Sequence, residues 1–322
     1  MRALLVAAIA ALTASAGGAS CAEWPTRPLR FIVGTPAGSQ PDMTARIVGE
    51  KLGATLGQGA VVENVAGGGG LIAAARGAHS PADGYTYYLG GLSVVATDKW
   101  MFKSLPYDPD KDFTPVAMLS DSNSFVIAVH PSVKATSVAE LIALAKSEPG
   151  KLTYGFTQIG VTTLVGLWFN KLAGVDMTAI PYKDVGSLLQ DTISGRVPVV
   201  ISTFDEMQAH LESGELRALG VTSAQRVAGH DDVPAIAETL PGYRAQGFSI
   251  VFAPTGTPAD IVQKLNRAID PIVKEDSYVN RLKAYGVTIR GGAGTPESIA
   301  AFEKAERDNW ANIFTKLQYE PL

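Results

Sequence analysis

Short apolar runs alternate with helical patterns along most of this chain, and this alternation restricts the possible folds more than any other feature of the sequence. The run Leu29–Val33 has the length and composition of a buried strand, and apolar residues at helical spacing follow from Asp42. The same order begins again near Phe125. Strands that alternate with helices form parallel sheets flanked by helices. The sequence therefore predicts an α/β fold.

The alternating pattern divides into two units. The chain has 322 residues, which suits two compact lobes, and no long Pro- or Ser-rich linker joins them. Short crossovers are expected near Ser124 and Ala253. The predicted lobes are therefore residues 23–123 plus 254–322 and residues 124–253. Near the end, Thr257-Pro258 and Thr295-Pro296 each resemble a helix N-cap followed by Pro at the first helical position.

The first 22 residues have the features of a signal peptide. Arg2 is followed by an uncharged run rich in Ala and Leu at residues 3–16, and small residues stand three and one positions before Glu23. The alternative is a membrane anchor, but the strongly apolar stretch is too short and too rich in Ala to span a bilayer. We expect cleavage before Glu23 and export to the periplasm. Cys21, the single cysteine, is either lipidated or removed, and Gly18 three residues before it favours removal.

Several classes of function are disfavoured. The net charge is −4 without a block of Lys or Arg, which argues against a nucleic-acid partner. The four histidines lack metal-ligand spacing, and no Walker loop or Gly-x-Ser-x-Gly motif is present. Without Cys21 the mature chain has no thiol nucleophile. We therefore expect no catalytic residues, no metal and no cofactor, and we interpret the chain as a protein that is not an enzyme.

Two loops are the best candidates for a binding site. Residues 34–42 and 157–163 each lead from a predicted strand into a predicted helix, and neither loop contains Arg or Lys. Ligands of open parallel sheets bind beyond the carboxyl ends of the strands, where helix N-termini offer N–H donors to an anion. These loops therefore favour a carboxylate ligand. The alternative is that Asp42 and hydroxyls such as Thr162 only cap helices.

The glycine run Gly67–Gly70 lies between a predicted strand and a predicted helix. Its spacing matches neither a dinucleotide-binding loop nor a P-loop. We interpret it as a tight turn of left-handed residues, whose N–H groups could also line a ligand cleft.

Eight short motifs occur in an order and spacing that is specific for one protein family. They are Trp24-Pro25-Thr26-Arg27-Pro28, Val62-Glu63-Asn64, Ala82-Asp83-Gly84-Tyr85-Thr86, Leu105-Pro106-Tyr107-Asp108-Pro109, Pro149-Gly150-Lys151-Leu152-Thr153-Tyr154, Ile180-Pro181-Tyr182-Lys183, Leu216-Arg217-Ala218-Leu219 and Ala253-Pro254-Thr255-Gly256-Thr257-Pro258. Through them nearly the whole mature chain resembles the extracytoplasmic solute receptors of the tripartite tricarboxylate transporter family, the Bug receptors.

The resemblance implies a two-lobed periplasmic binding protein fold of type II, in which two crossover strands form the hinge. It also implies that backbone groups, hydroxyls and waters of the first loop of each lobe hold the ligand carboxylate. Those loops correspond to residues 35–42 and 157–163 here. The predicted ligand-binding residues are Thr35, Ala37, Gly38, Ser39, Asp42, Ser93, Thr157, Gln158, Thr162, Thr163, Asp205 and Phe248.

The chain departs from the family pattern at the ligand loops. Thr35 replaces a common aromatic residue, Gly38-Ser39 replaces Gly-Gly, and Asp184 replaces the Gly that commonly follows Pro-Tyr-Lys. In the second loop Thr157, Gln158 and Ile159 stand where a small residue, Gly and a polar residue are common. The identity of the ligand therefore stays open.

The expected function is capture of a small carboxylate by a monomeric receptor that delivers it to the membrane subunits of a tripartite tricarboxylate-type transporter. The first alternative is a sensor whose liganded form docks on a membrane signalling kinase. The second is an enzyme on the same scaffold, because a fold does not fix a function.

Overall fold

The computed structural model describes residues 23–157 and 161–321, and the predicted signal peptide lies outside them. Within these residues the chain forms two β-sheets. The strands of the first sheet are β1 Leu29–Val33, β2 Ala60–Asn64, β3 Thr86–Gly91, β4 Phe113–Asn123, β10 Gly247–Pro254 and β11 Val287–Thr288. The strands of the second sheet are β5 Phe125–Val129, β6 Thr153–Thr157, β7 Thr178–Tyr182, β8 Val199–Thr203 and β9 Arg217–Val221.

Helices connect most of these strands. The α-helices are α1 Gln40–Leu56, α2 Leu71–Ala78, α3 Asp98–Met101, α4 Val138–Ser147, α5 Val161–Ala173, α6 Val185–Ile193, α7 Phe204–Glu212, α8 Ile236–Thr239, α9 Ala259–Lys274, α10 Asp276–Lys283 and α11 Pro296–Leu317. A 3₁₀ turn covers Gly68–Gly70, and a π-helical turn covers Ser93–Thr97.

The first sheet has the strand order β11-β4-β10-β3-β1-β2. Strands β2, β1 and β3 run parallel, with Val33 paired to Asn64 on one side and to Leu89 on the other. Strand β10 lies between β3 and β4 and is antiparallel to both. The carboxyl ends of the three parallel strands therefore meet at one edge, where the segments that follow them lie side by side.

The second sheet has the order β7-β6-β8-β5-β9. Strand β6 is parallel to β7 and to β8, whereas β5 is antiparallel to both of its neighbours. The carboxyl ends of β6, β7 and β8 thus share an edge, and helices α5, α6 and α7 begin there. The second sheet therefore has the same arrangement as β1, β2 and β3 of the first sheet, with the carboxyl ends of three parallel strands at one edge.

Several helix starts differ from the sequence-based expectation. Helix α1 begins at Gln40 with Ser39 as N-cap, so Asp42 belongs to the first turn and is not the cap. Helix α9 begins at Ala259 with Pro258 as N-cap, because the Thr257 hydroxyl donates to the Pro254 carbonyl. By contrast, the Thr295 hydroxyl accepts from the Ser298 N–H and Pro296 opens helix α11, as predicted.

Two crossovers connect the sheets. The first lies at Ser124, between β4 and β5, as expected. The second lies between β9 and β10, because residues 247–253 pair within the first sheet and not within the second. The return therefore comes before Gly247, earlier than the predicted boundary at residue 253. The two crossovers touch: the Ser124 and Ser223 hydroxyls are 3.0 Å apart, and the Phe125 N–H donates to the Thr222 hydroxyl at 2.9 Å.

Helix α11 contacts elements of both sheets. It packs on the π-helical turn and on β4, and its Phe302 ring meets Phe248 of β10 edge-on. Trp310 of the same helix is fully buried. It also packs on α5, where the Lys316 ammonium lies over the Trp168 ring. A single helix thus joins the cores on which the two sheets rest.

Candidate ligand-binding site

The loop after β1 is held by its own hydroxyl groups. The Ser39 hydroxyl donates to the Pro36 carbonyl at 2.7 Å, and the Thr35 and Ser39 hydroxyl oxygens are 2.7 Å apart. Ala37 and Gly38 are exposed, and Gly38 has a φ of 84°, in the left-handed region. The loop therefore exposes backbone groups at the sheet edge, while its hydroxyls fix its shape.

A buried carboxylate braces this loop from below. The Asp42 side chain is 2% exposed, and it accepts hydrogen bonds from the Gly38 N–H at 2.8 Å, the Arg46 Nε at 3.0 Å and the Asn64 Nδ2 at 2.9 Å. The second Arg46 contact, from Nη2 to the other carboxylate oxygen, is 2.9 Å long. The Asn64 amide also donates to the Thr35 carbonyl. Because the acceptor positions of Asp42 are occupied, its position favours a structural role over direct ligand contact.

The electrostatics of Asp42 agree with this role. Burial would raise the pKa of its carboxyl, but the hydrogen bonds from Arg46, Gly38 and Asn64 outweigh burial and hold the pKa below its ordinary value. Hydrogen bonds to a charged group contribute about 1.5–3 kcal/mol each. The loop is therefore preorganised by an anion that stays ionised.

Sequence reasoning did not identify Asn64 and Arg46 as site residues. Asn64 ends the Val62-Glu63-Asn64 motif and lies beside β1 because β1 and β2 pair in register. Arg46 lies one helical turn after Asp42, which is the spacing of an i, i+4 ion pair. That spacing was a signal in the sequence, whereas the approach of Asn64 depends on the sheet.

The glycine run forms the predicted left-handed turn next to this loop. All four residues, Gly67 to Gly70, have positive φ values between 58° and 124°. A Cβ atom placed on Gly34 would lie 3.3 Å from the Gly70 Cα, so the two segments are in close contact. The turn therefore lies at the same edge as the first loop.

The loop after β6 is described only at its ends. Thr157 is the last residue of β6, and its carbonyl accepts a hydrogen bond of 2.8 Å from the Thr162 hydroxyl. Thr162 and Thr163 lie in the first turn of α5. In this contact the Thr162 hydroxyl donates to a carbonyl, whereas an N-cap hydroxyl would accept from a helix N–H, so the contact ties the two ends of the loop together. Gln158 lies outside the described residues, so its predicted role stays a prediction.

The remaining predicted site residues, Ser93, Asp205 and Phe248, lie in different elements and differ in their exposure. Ser93 opens the π-helical turn after β3 and is half-buried. Asp205 is exposed in the first turn of α7, after β8, so it lies at the same edge as Thr157. Phe248 is only 3% exposed, and its ring packs against Phe302 at a centroid distance of 4.9 Å. This burial argues against Phe248 as a wall of an open cleft.

Other features of the described part of the chain are distant from these loops. A groove of about 540 Å³ lies between α7 and residues 230–233, and none of the predicted site residues lines it. Over residues 23–157 and 161–321, no cluster of three or more His, Cys, Asp or Glu could hold a metal ion. In the same residues, no helix has both the length and the apolar character that a membrane span requires.

The comparison with known families identifies the chain. The family described as the tripartite tricarboxylate transporter family receptor matches residues 44–318. The protein belongs to this receptor family. Bug protein BugT of Bordetella pertussis (strain Tohama I) is 34% identical to the receptor over 315 residues, which are 96% of each chain.

Two solved structures of similar proteins agree with the assignment to this family. R. palustris Rpa4515, solved with adipate, is 35% identical and has a TM-score of 0.83, covering 93% of the receptor and 100% of that chain. MatC of Rhodopseudomonas palustris, solved with bound malate, is 29% identical and has a TM-score of 0.77, covering 90% of the receptor and 99% of that chain. The receptor therefore has the two-lobed type II fold of periplasmic binding proteins. The family is a class of solute-binding receptors, not of enzymes, and it acts in the periplasm.

Proposed function

We propose that this receptor captures a small organic acid between its two lobes and delivers it to the membrane subunits of a tripartite tricarboxylate transporter. The observation that carries the proposal is the braced loop after β1. It exposes Ala37 and Gly38 where helix α1 begins, and the Ser39 side chain makes no capping bond to the first turn of that helix. Helix N-terminal N–H groups at such an edge suit a carboxylate. The similarity to proteins solved with adipate and with malate supports the same ligand class.

The energetics of such a site are sufficient. Each hydrogen bond to a carboxylate contributes about 1.5–3 kcal/mol, and micromolar affinity requires about 8 kcal/mol. About four good hydrogen bonds from the two loops therefore suffice without an arginine. Thr35, Ser39 and Thr157 are the proposed donors to the ligand carboxylate, with Gln158 and Thr163 as further candidates. Asp205, which carries a carboxylate of its own, is proposed to accept from a donor group elsewhere on the ligand.

A thermal-shift screen over aliphatic, hydroxylated, aromatic and amino acids tests this proposal. A ligand that binds only the folded state raises the melting temperature by mass action. We expect at least one mono- or dicarboxylate to raise it, and the matching amide to have no effect. Recovery of the ligand unchanged after incubation would agree with binding without turnover. Stabilisation by no acid in the screen, or conversion of the bound acid, would contradict the proposal.

The proposal includes closure of two lobes, residues 23–123 plus 247–322 and residues 124–246, about the crossovers at Ser124 and Ser223. Residues from both lobes must reach one small molecule, so ligand should reduce the radius of gyration of the monomer in X-ray scattering. An unchanged radius at saturating ligand would argue against closure.

We also propose that residues 1–22 direct export and are then removed. The mature protein isolated from the periplasm should begin at Glu23 and carry no lipid. Mass spectrometry of that protein distinguishes removal of Cys21 from its lipidation.

A further inference from the structure

The segment after β3 has an unusual backbone geometry. Residues Ser93–Thr97 form a π-helical turn, in which the Asp98 N–H donates to the Ser93 carbonyl. Such turns are rare and often occur at functional sites. Four of the five residues are buried, and only Ser93 is half-buried. The turn therefore keeps its other side chains in the core and presents Ser93 at the edge where the first loop and the glycine turn lie.

One side chain of helix α11 holds this turn. The Arg307 Nε donates to the Val95 carbonyl at 3.0 Å, and its Nη2 donates to the Pro109 carbonyl at 3.4 Å. Its guanidinium also lies 3.4 Å from the Asp110 carboxylate and 3.6 Å from the Glu303 carboxylate. A planar guanidinium with several fixed partners is well ordered. Arg307 thus ties the middle of the turn to the C-terminal helix.

In and next to the π-helical turn, some buried polar groups lack a hydrogen-bond partner among the described residues. The buried Thr97 hydroxyl and one oxygen of the buried Glu303 carboxylate have no hydrogen-bond partner among the described residues. A small cavity of about 10 Å³ lies between the turn and α11, lined in part by Val95, Glu303 and Arg307. An uncommon backbone conformation persists only where its surroundings enforce it. Arg307 contributes to this enforcement through its hydrogen bond to the Val95 carbonyl in the turn.

We propose that Arg307 is a positioning residue that holds the π-helical turn so that the Ser93 hydroxyl meets the ligand carboxylate, as a third contact of the first lobe. The inference rests on the proposed function for its ligand-binding step. Arg307 itself does not touch the ligand, and its effect on affinity passes through Ser93.

The first experiment needs no ligand. In Arg307→Met the aliphatic stem remains and the hydrogen bonds to Val95 and Pro109 are lost. The Asp98 amide, which closes the turn, should then exchange its hydrogen about tenfold faster. Lys304→Met is the matched control, because Lys304 lies on the same helix, is exposed and forms an ion pair with exposed Asp308. Equal exchange at Asp98 in both variants would overturn the proposal.

The second experiment is a double-mutant cycle on an acid that binds the parent protein. Ser93→Ala and Arg307→Met should each weaken binding about tenfold, and the double variant should bind no more weakly than the weaker single variant. Arg307→Met combined with Ser39→Ala should show independent, multiplied losses, because Ser39 lies on a separate loop. Arg307→Lys, which keeps one donor, should recover part of the affinity.

The outcomes separate the inference from the proposed function. If the losses of Ser93→Ala and Arg307→Met multiply, Arg307 does not act through Ser93 and the inference is wrong. If the parent protein binds no acid of the screen, the proposed function fails, and the exchange at Asp98 still decides whether Arg307 holds the turn.

Discussion

Asp42 lies under the loop after β1 and Glu303 lies next to the π-helical turn, two segments at the same edge of the first sheet. Both carboxylates are buried, but their surroundings differ. Asp42 accepts hydrogen bonds from a backbone N–H, a guanidinium and an amide, and its pKa is lowered. Glu303 has one oxygen without a partner, and burial raises its pKa to about 7 although Arg307 opposes the shift. Burial alone therefore does not decide the charge of a carboxylate, whereas the number of its donors does. The first loop is held by an ionised carboxylate, whereas Arg307, which holds the π-helical turn, lies 3.6 Å from a carboxyl whose pKa is raised to about 7.

The largest expected effect comes from removing the anion under the first loop. Asp42→Ala should lower the free energy of unfolding by about 3 kcal/mol, because it removes the charged acceptor that the Gly38 N–H, the Arg46 guanidinium and the Asn64 amide share. Urea denaturation near neutral pH measures the loss. Asp184→Ala is the control: Asp184 is an exposed N-cap that accepts from the Ser187 N–H, and its loss should cost about 1 kcal/mol. Equal losses in the two variants would contradict the bracing role of Asp42.

A smaller effect is expected from removing the Ser39 hydroxyl of the loop after β1. Ser39→Ala should weaken ligand binding about tenfold, while leaving the melting temperature of the free protein nearly unchanged. The loss is limited because the hydroxyl must leave the Pro36 carbonyl before it donates to a ligand. Calorimetry measures the affinity. Ser80→Ala is the control, because it removes a similar hydrogen bond from a hydroxyl to a carbonyl, that of Arg76, away from the edge where the ligand is proposed to bind. This variant should bind the ligand as tightly as the parent protein does.

The last prediction concerns how stability changes with pH, and the change has opposite signs for Glu303 and Asp42. Between the ordinary Glu pKa of 4.5 and about 7, folded Glu303 keeps a proton that the unfolded chain has lost, so stability falls as pH rises through this interval. Asp42 has the opposite sign: its contribution is present above its ordinary pKa of 3.8 and is lost as pH falls through its lowered value.

Glu303→Gln should therefore reduce the stability lost between about pH 5 and about pH 8 by about 2 kcal/mol, since the amide does not titrate. Thermal unfolding across this range measures the difference, and Glu297→Gln, an exposed site on the same helix, is the control. If the stability of the Glu303 variant changes with pH as much as that of the parent, its raised pKa is not the cause.

Much of the fold was predictable from local patterns. Strand β1 has the predicted limits and β5 begins at Phe125, as predicted. The glycine turn and the Thr295 cap are also as expected, because apolar periodicity, left-handed residues and capping act within a few positions. The second crossover was placed too late, because the sequence of β10 does not reveal with which strands it pairs. Only its pairing with β3 and β4 assigns the strand.

The supporting residues of the site were less predictable. Asp42 was identified, but its partner Asn64 comes from a neighbouring strand. Arg307 reaches Val95 across 212 positions of the sequence, and no spacing rule connects them. The π-helical turn was also not predicted, because its contact with Arg307 of α11 depends on the complete fold. Loop residues that contact a ligand are local features, whereas the residues that support them depend on the complete fold.

The position of β10 determines when the chain can fold during synthesis and export. The second sheet uses only residues 125–221 and contains every strand that it needs as soon as that stretch is available. The first sheet is incomplete until β10, near residue 250, inserts between β3 and β4, and Trp310 of α11 covers it later still. Contacts that span so much of the chain form slowly. The N-terminal third of the protein therefore cannot complete its sheet until the residues of β10 are available.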